Sequence, residues 1–313
     1  MIVKRNFSPL KVWSYIKGPV IFSIGWSFVV WLIASKFNVE RFSLNFAVIG
    51  ILGTALAIFI AFRNNSSYSR WWEARTAWSN ILSSTRTFAR LIITFTDSHS
   101  HQTNYVKERS ESFKSEMIYK IIAWTNSLRL ELRNQNDWES FRTFLSDEEI
   151  NQVITKQSKT NFIKLLIGQR IYKAMADGTL GGFDSFQLEG QLLALANAQA
   201  ASERIKHTPL PKQYDFFTRM FVLLFIALLP FGLISFFNPH TETSWLVIPF
   251  AVLISAVFVI MERTGAANEN PFENLVTDVP LTSICNKIER DLLEMLGEEN
   301  LPPKLEAENG YLY

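Results

Sequence analysis

Charged side chains are missing from four separate stretches of this chain and crowd the segments between them. Gly18 to Ser35, Ser43 to Phe62, Met220 to Thr241 and Thr243 to Met261 contain no Asp, Glu, Lys or Arg. A helix rises about 1.5 Å per residue, so a hydrocarbon core near 30 Å is crossed by about 20 residues. Each stretch is long enough, whereas a soluble helix would mix apolar and charged residues along its length. The chain is therefore read as an all-α membrane protein with four transmembrane helices and a large cytoplasmic helical region. The expected organisation is a cytoplasmic N-terminus (1–17), transmembrane helices 1 and 2 (18–62), a cytoplasmic helical region (63–219), transmembrane helices 3 and 4 (220–261) and a cytoplasmic C-terminal segment (262–313).

The flanking charges set the orientation. Lys4, Arg5, Lys11 and Lys17 precede the first span, and Arg63, Arg70, Arg219 and Arg263 border the others on the same side. The links Lys36 to Phe42 and Asn238 to Glu242 carry few basic residues, so both termini are expected in the cytoplasm of a multi-pass protein of the cell membrane. The first stretch is too long and too rich in Phe and Trp for a signal peptide, and no A-x-A cleavage site follows it.

Composition closes several other routes. A formal net charge of +2 over 313 residues, with no clustered basic face, gives no footprint for nucleic acid. Cys285 is alone and cannot form an internal disulfide. There is no Gly-rich phosphate loop, H-E-x-x-H or G-x-S-x-G, so no enzyme activity and no cofactor is expected. His99-x-His101 has no third ligand nearby and reads as a solvated loop, and no metal site is expected. The acids Asp147, Glu148, Glu149, Glu298 and Glu299 read as solvated helix-end charges.

Between Asn64 and Lys212 the first Pro is Pro209, and apolar residues recur at helical spacing. Ile81, Thr85, Phe88, Leu91 and Ile92 share one face, as do Met117, Ile121, Trp124 and Leu128. Breaks are expected at Asp97 to Thr103, Asn134 to Asp137 and the glycine-rich Asp177 to Phe183. Leu281 to Leu296 resumes as an amphipathic helix with Ile284, Ile288, Leu292 and Met295 as its stripe. Trp26, Trp31 and Trp245 read as an interfacial belt, and Trp71, Trp72 and Trp78 as anchors for the second helix.

The second span is unlike the others. Thr54, Ile58 and Phe62 recur every fourth residue and share a face. Gly50, Gly53, Ala55, Ala57 and Ala61 make much of the rest small, which permits close helix approach. Beyond Phe62 the sequence turns polar through Asn64, Asn65, Ser66, Ser67 and Ser69 without a helix breaker. From the residues alone, the row either packs against neighbouring spans or forms a constriction opening into a wet vestibule.

The string Ala61-Phe62-Arg63-Asn64-Asn65-Ser66-Ser67-Tyr68-Ser69-Arg70-Trp71-Trp72-Glu73-Ala74-Arg75, with the preceding run from Gly53, resembles the bestrophin family, its bacterial members most closely. Asn270-Pro271-Phe272 after span four and the Pro211 neighbourhood add to the likeness, in the same order along most of the chain. The resemblance implies a homopentamer in the bilayer around one axial pore that conducts monovalent ions, chloride-like anions foremost. It implies a neck of Thr54, Ile58 and Phe62, a vestibule reached by Ser66 and Ser69, and a cytoplasmic aperture at Phe183, with Leu180 the neighbouring candidate. Aromatic edges are weakly positive and can face an anion, and Phe62 is the residue of the row that offers one. Animal bestrophins hold calcium after the Asn-Pro-Phe step. Here Leu275 and Val276 stand where carboxylates would be needed, so no calcium clasp is expected. The alternatives are a monovalent-cation-selective channel of the same architecture and a secondary transporter. The transporter is disfavoured because the spans lack the ionisable group that coupling to protons requires.

Overall fold

The computed structural model describes residues 1–4, 9–36, 44–98, 100–103, 105–237 and 241–313. Arg5, the start of span two at Ser43, Arg41 and Phe42 in the first link, Asn238 in the second and His99 lie outside the described residues. The helices, in chain order, are α1 (Pro9–Lys36), α2 (Phe46–Ser98), α3 (Lys107–Leu132), α4 (Asp147–Ile154), α5 (Lys159–Ala176), α6 (Gly182–His207), α7 (Lys212–Phe237), α8 (Val247–Ala267) and α9 (Leu281–Leu296). Four segments are long and apolar enough to cross a membrane: Trp13–Lys36, α2, α7 and Ser244–Ala267.

The chain forms two compact units. One contains Lys4–Trp71 and Pro209–Glu269; the other contains Met1–Val3, Trp72–Thr208 and Asn270–Tyr313. The divisions fall several residues on the polar side of the span ends read from charge, because α2, α7 and α8 run on past the last apolar residue.

In the first unit α1, α7 and α8 pack together around Val20, Val30, Phe225, Ile226, Leu229 and Ala251. α2 joins them through glycines. A Cβ on Gly53 would lie 3.1 Å from the Phe225 ring, and one on Gly232 would lie 2.6 Å from Ile49 Cγ1. Gly53 therefore serves close packing inside the single chain. Pro230 sits within α7, where it removes a backbone donor. One turn earlier the Ala227 carbonyl accepts from Trp26 Nε1 at 2.9 Å, and the Trp26 ring meets Phe231 edge-on. Trp26 is thus a packed helix-helix contact. Trp31 also turns inward, donating to Ser244 Oγ at 3.2 Å. Trp245 is exposed.

The second unit has a conventional apolar core. Ile81, Thr85, Phe88, Leu91 and Ile92 of α2 are buried, as are Met117, Ile121, Trp124 and Leu128 of α3. Of the α9 stripe, Ile284, Ile288 and Leu292 are buried while Met295, in the last turn before Gly297, is exposed. Trp78 is fully buried and anchors α2, whereas Trp72 faces outward. α4 begins with a capping box between Ser146 and Glu149. Glu149 also pairs with the buried Lys120 ammonium, so it is not the solvated charge its position suggested.

Candidate ion pathway

α2 is the element on which the predicted neck depends. Its inner face, Leu56, Ile60 and Arg63, is buried within the first unit. The opposite face carries Thr54, Ile58 and Phe62, all exposed, with Ile58 at 54% and Phe62 at 70%. Val48, Ile51 and Leu52 of the same helix are exposed as well, so between Phe46 and Phe62 α2 touches the rest of the chain along a narrow stripe and leaves most of its apolar surface uncovered. Ser66 and Ser69 continue outward-facing beyond Phe62. Thr54 Oγ1 donates to Gly50 O at 2.9 Å and Ser66 Oγ to Phe62 O at 3.0 Å. Each hydroxyl proton is thus held by the helix backbone, and the lone pairs point away from it.

A buried ion network fixes the polar end of this row. Arg63, with its side chain 2% exposed, pairs with Asp215 of α7 and lies 3.7 Å from Glu262 and 3.6 Å from Glu269. Its second guanidinium nitrogen donates to the Glu262 carbonyl at 3.1 Å. Arg219 pairs with Asp215 at 3.0 Å. One residue beyond Arg63, Asn64 Nδ2 donates to Met261 O at 2.9 Å, and Arg70 Nε donates to Glu269 O at 2.8 Å. Asn64 can lie flat on α8 because Gly265 has no side chain; a Cβ there would come within 1.9 Å of Asn64 Oδ1. These contacts join α2 to α7 and α8 within the single chain. A cavity of about 540 Å³ lies beside the row, walled by Phe59, Phe62, Ser66 and Tyr214, with Arg63 and Asp215 at its polar side.

Asp215, Glu262, Glu269 and Gly265 were missed by sequence reading. The available signal was the set of acids at the polar ends of spans three and four facing the Arg63 level of span two.

The two aperture candidates part company in the second unit. Phe183, in the first turn of α6, is 88% exposed. Leu180 is 3% exposed, and its backbone N–H donates to Ala174 O at 3.0 Å. The loop explains the difference. Gly178 takes φ +79°, Thr179 N–H bonds to Asp177 Oδ1 at 3.1 Å, and Gly181 N–H bonds to Asp184 Oδ2 at 2.9 Å. This turn folds Leu180 onto the core and throws Phe183 outward, so Leu180 has no open surface with which to line an aperture. In the stretch after Asn270-Pro271-Phe272, Glu273 pairs with Lys206 at 2.7 Å. Asp278 is buried, and its carboxylate accepts from Leu275 N–H at 3.0 Å.

Comparison with known proteins matches residues 7–294 to the family described as Bacterial/Fungal Bestrophin protein. The chain belongs to the bestrophin family. This bestrophin is 30% identical over 303 residues to the voltage-dependent anion channel-forming protein YneE of Salmonella typhimurium, covering 97% of this chain and 90% of the relative. It is 28% identical over 320 residues to the voltage-dependent anion channel-forming protein mll4386 of Mesorhizobium japonicum, covering 99% and 97%. Among solved structures, a bacterial bestrophin homologue from Klebsiella pneumoniae superposes with a TM-score of 0.81 at 27% identity, over 91% of this bestrophin and 100% of that chain.

Proposed function

We propose that this bestrophin is a channel for monovalent anions such as chloride, formed by five copies around an axial pore in the bacterial plasma membrane, with both termini cytoplasmic. The observation that carries the reading is the open face of α2, where Thr54, Ile58 and Phe62 stand exposed on a helix whose other face is buried. One pore helix per chain cannot enclose a water-filled path, so several copies in a closed ring are required. In such a ring the row is a narrow, largely apolar collar that gates by resisting hydration. Ser66 and Ser69 then open the wet side, and Phe183 makes a second constriction at the cytoplasmic exit. The names of the relatives, each called an anion channel-forming protein, support the sign of the ion. Purified protein in a planar bilayer tests this: unitary currents reversing near the chloride equilibrium potential in a KCl gradient are expected. Solute flux without unitary currents, or a monomer by mass in detergent, defeats it.

A second reading, a monovalent-cation channel of the same build, is favoured by one observation. Because Thr54 and Ser66 spend their protons on the backbone, they offer only acceptor oxygens outward, which suit a cation. Reversal near the potassium equilibrium potential selects it.

A further inference from the structure

We propose that the cavity beside Phe62 is a binding site for a small organic ammonium ion with an aromatic body. Its volume of about 540 Å³ suits a small molecule, and all of its lining residues belong to the first unit. Three aromatic rings, those of Phe59, Phe62 and Tyr214, make one side of it. Phe59 and Tyr214 stack with centroids 6.1 Å apart and planes 30° from parallel, and Phe221 braces Phe59 edge-on at 6.0 Å. That wall is therefore formed before any guest arrives. The rings of Phe62 and Tyr214 are both exposed. The face of an aromatic ring carries negative potential and attracts a cation within about 6 Å of its centroid.

The polar side of the cavity asks for a charged donor. Arg63, the cation in the wall, is engaged by Asp215 and by the Glu262 carbonyl, so an entering anion would have to displace a carboxylate. Ser66 has given its proton to Phe62 O and offers lone pairs. Asp215 is shared between Arg63 and Arg219. Glu269 is the least satisfied group. Its side chain is 15% exposed, and its one ion-pair partner among the described residues is the Arg63 guanidinium at 3.6 Å, beyond ordinary hydrogen-bond length. A carboxylate so far removed from water and so poorly bonded favours a donor that carries positive charge. An ammonium head serves the oxygens of Glu269 and Ser66 while its body covers the rings. Phe62 belongs both to this wall and to the proposed neck, so an occupant lies beside the ion path. Binding itself does not depend on that reading and is measured without current.

The test is isothermal titration of the detergent-solubilised full-length protein with three ligands of similar shape: phenethylammonium, phenethyl alcohol and hydrocinnamate. The ammonium should bind roughly ten-fold or more tightly than the alcohol, because hydrogen bonds to a charged group are the stronger ones, and the carboxylate should bind weakest. Glu269→Gln should erase the preference for the ammonium over the alcohol. Tyr214→Leu, which removes a ring face, should weaken the ammonium roughly two- to five-fold relative to the alcohol. Equal binding of the three ligands, no binding of the ammonium, or a preference that survives Glu269→Gln overturns the inference and leaves the channel reading standing. Tightest binding of hydrocinnamate would show an anion site at Arg63 and overturns it too. Should Glu269→Gln not assemble, Tyr214→Leu decides: an unchanged ratio of ammonium to alcohol affinity overturns the proposal.

Discussion

Replacing Gly265 by Ala should weaken the protein, and the same change should strengthen it once Asn64 has been shortened. Gly265 is buried in α8, where Ala is favoured over Gly by about 0.8–1.0 kcal/mol through helix propensity. Against that gain stands Asn64, whose Oδ1 would lie 1.9 Å from the new methyl. Asn64 cannot simply swing aside, because its Nδ2 is bonded to Met261 O at 2.9 Å. Moving it loses that bond, about 1 kcal/mol, and adds an overpacking cost of roughly 1–3 kcal/mol. The net for Gly265→Ala is a destabilisation of about 1–3 kcal/mol. Asn64→Ala alone should be close to neutral, since it also removes a buried Oδ1 with no hydrogen-bond partner. In that background the obstacle is gone and Gly265→Ala should stabilise by about 1 kcal/mol. The coupling between the two sites is then roughly 2–4 kcal/mol, far above the few tenths expected of independent positions. Apparent melting temperatures of the four detergent-solubilised proteins, followed by loss of the assembled peak on size exclusion, measure it. Destabilisation of the same size in both backgrounds would refute the claim that Asn64 lying on Gly265 joins α2 to α8.

Arg63→Gln should destabilise by about 3–5 kcal/mol, since it strands Asp215, Glu262 and Glu269 without their central cation; the same melting assay, with no loss relative to Arg75→Gln, would show the network to be dispensable. Phe183→Ala should raise single-channel conductance without moving the melting temperature, because the ring is exposed in the protomer; a large loss of stability would make Phe183 a packing residue. Glu149 resists protonation: burial would raise its pKa, but Lys120 and the hydrogen bonds from Ser146 together outweigh burial and hold it below the usual carboxylate range. A depressed folded-state pKa gives stability that is complete above the unfolded value near 4.3 and is lost as pH falls through the folded value. Below about pH 4.3, wild type should therefore lose stability relative to Glu149→Gln in urea unfolding of the detergent-solubilised full-length protein; parallel pH curves would contradict this.

Segregation of charge made the four spans legible, since nothing else in a chain of this length explains long stretches without a single charged residue. Period-3.6 faces likewise identified the buried sides of α2, α3 and α9, where packing follows hydrophobicity directly. Reading failed where tertiary partners override local pattern. Trp26 looks interfacial in sequence yet spends its indole N–H on a carbonyl beside Pro230. Leu180 and Phe183 are both apolar residues in one glycine-rich turn, and only the hydrogen bonds of Asp177 and Asp184 decide which points outward. The Arg63 network was invisible because its acids come from segments some 150 to 200 residues away in sequence. Thr54, Ile58 and Phe62 were legible as a shared face from spacing alone. Their exposure is a property of the folded protomer.

The central claim is that this exposed face of α2 encloses the ion path, and the double variant Ile58→Ala, Phe62→Ala tests it most directly. Both side chains are largely exposed in the protomer, so their removal should cost little folding energy while widening and wetting the collar. Unitary conductance of the purified double variant in a planar bilayer should rise above wild type at equal salt. Conductance and open probability identical to wild type would place the constriction elsewhere and contradict the account.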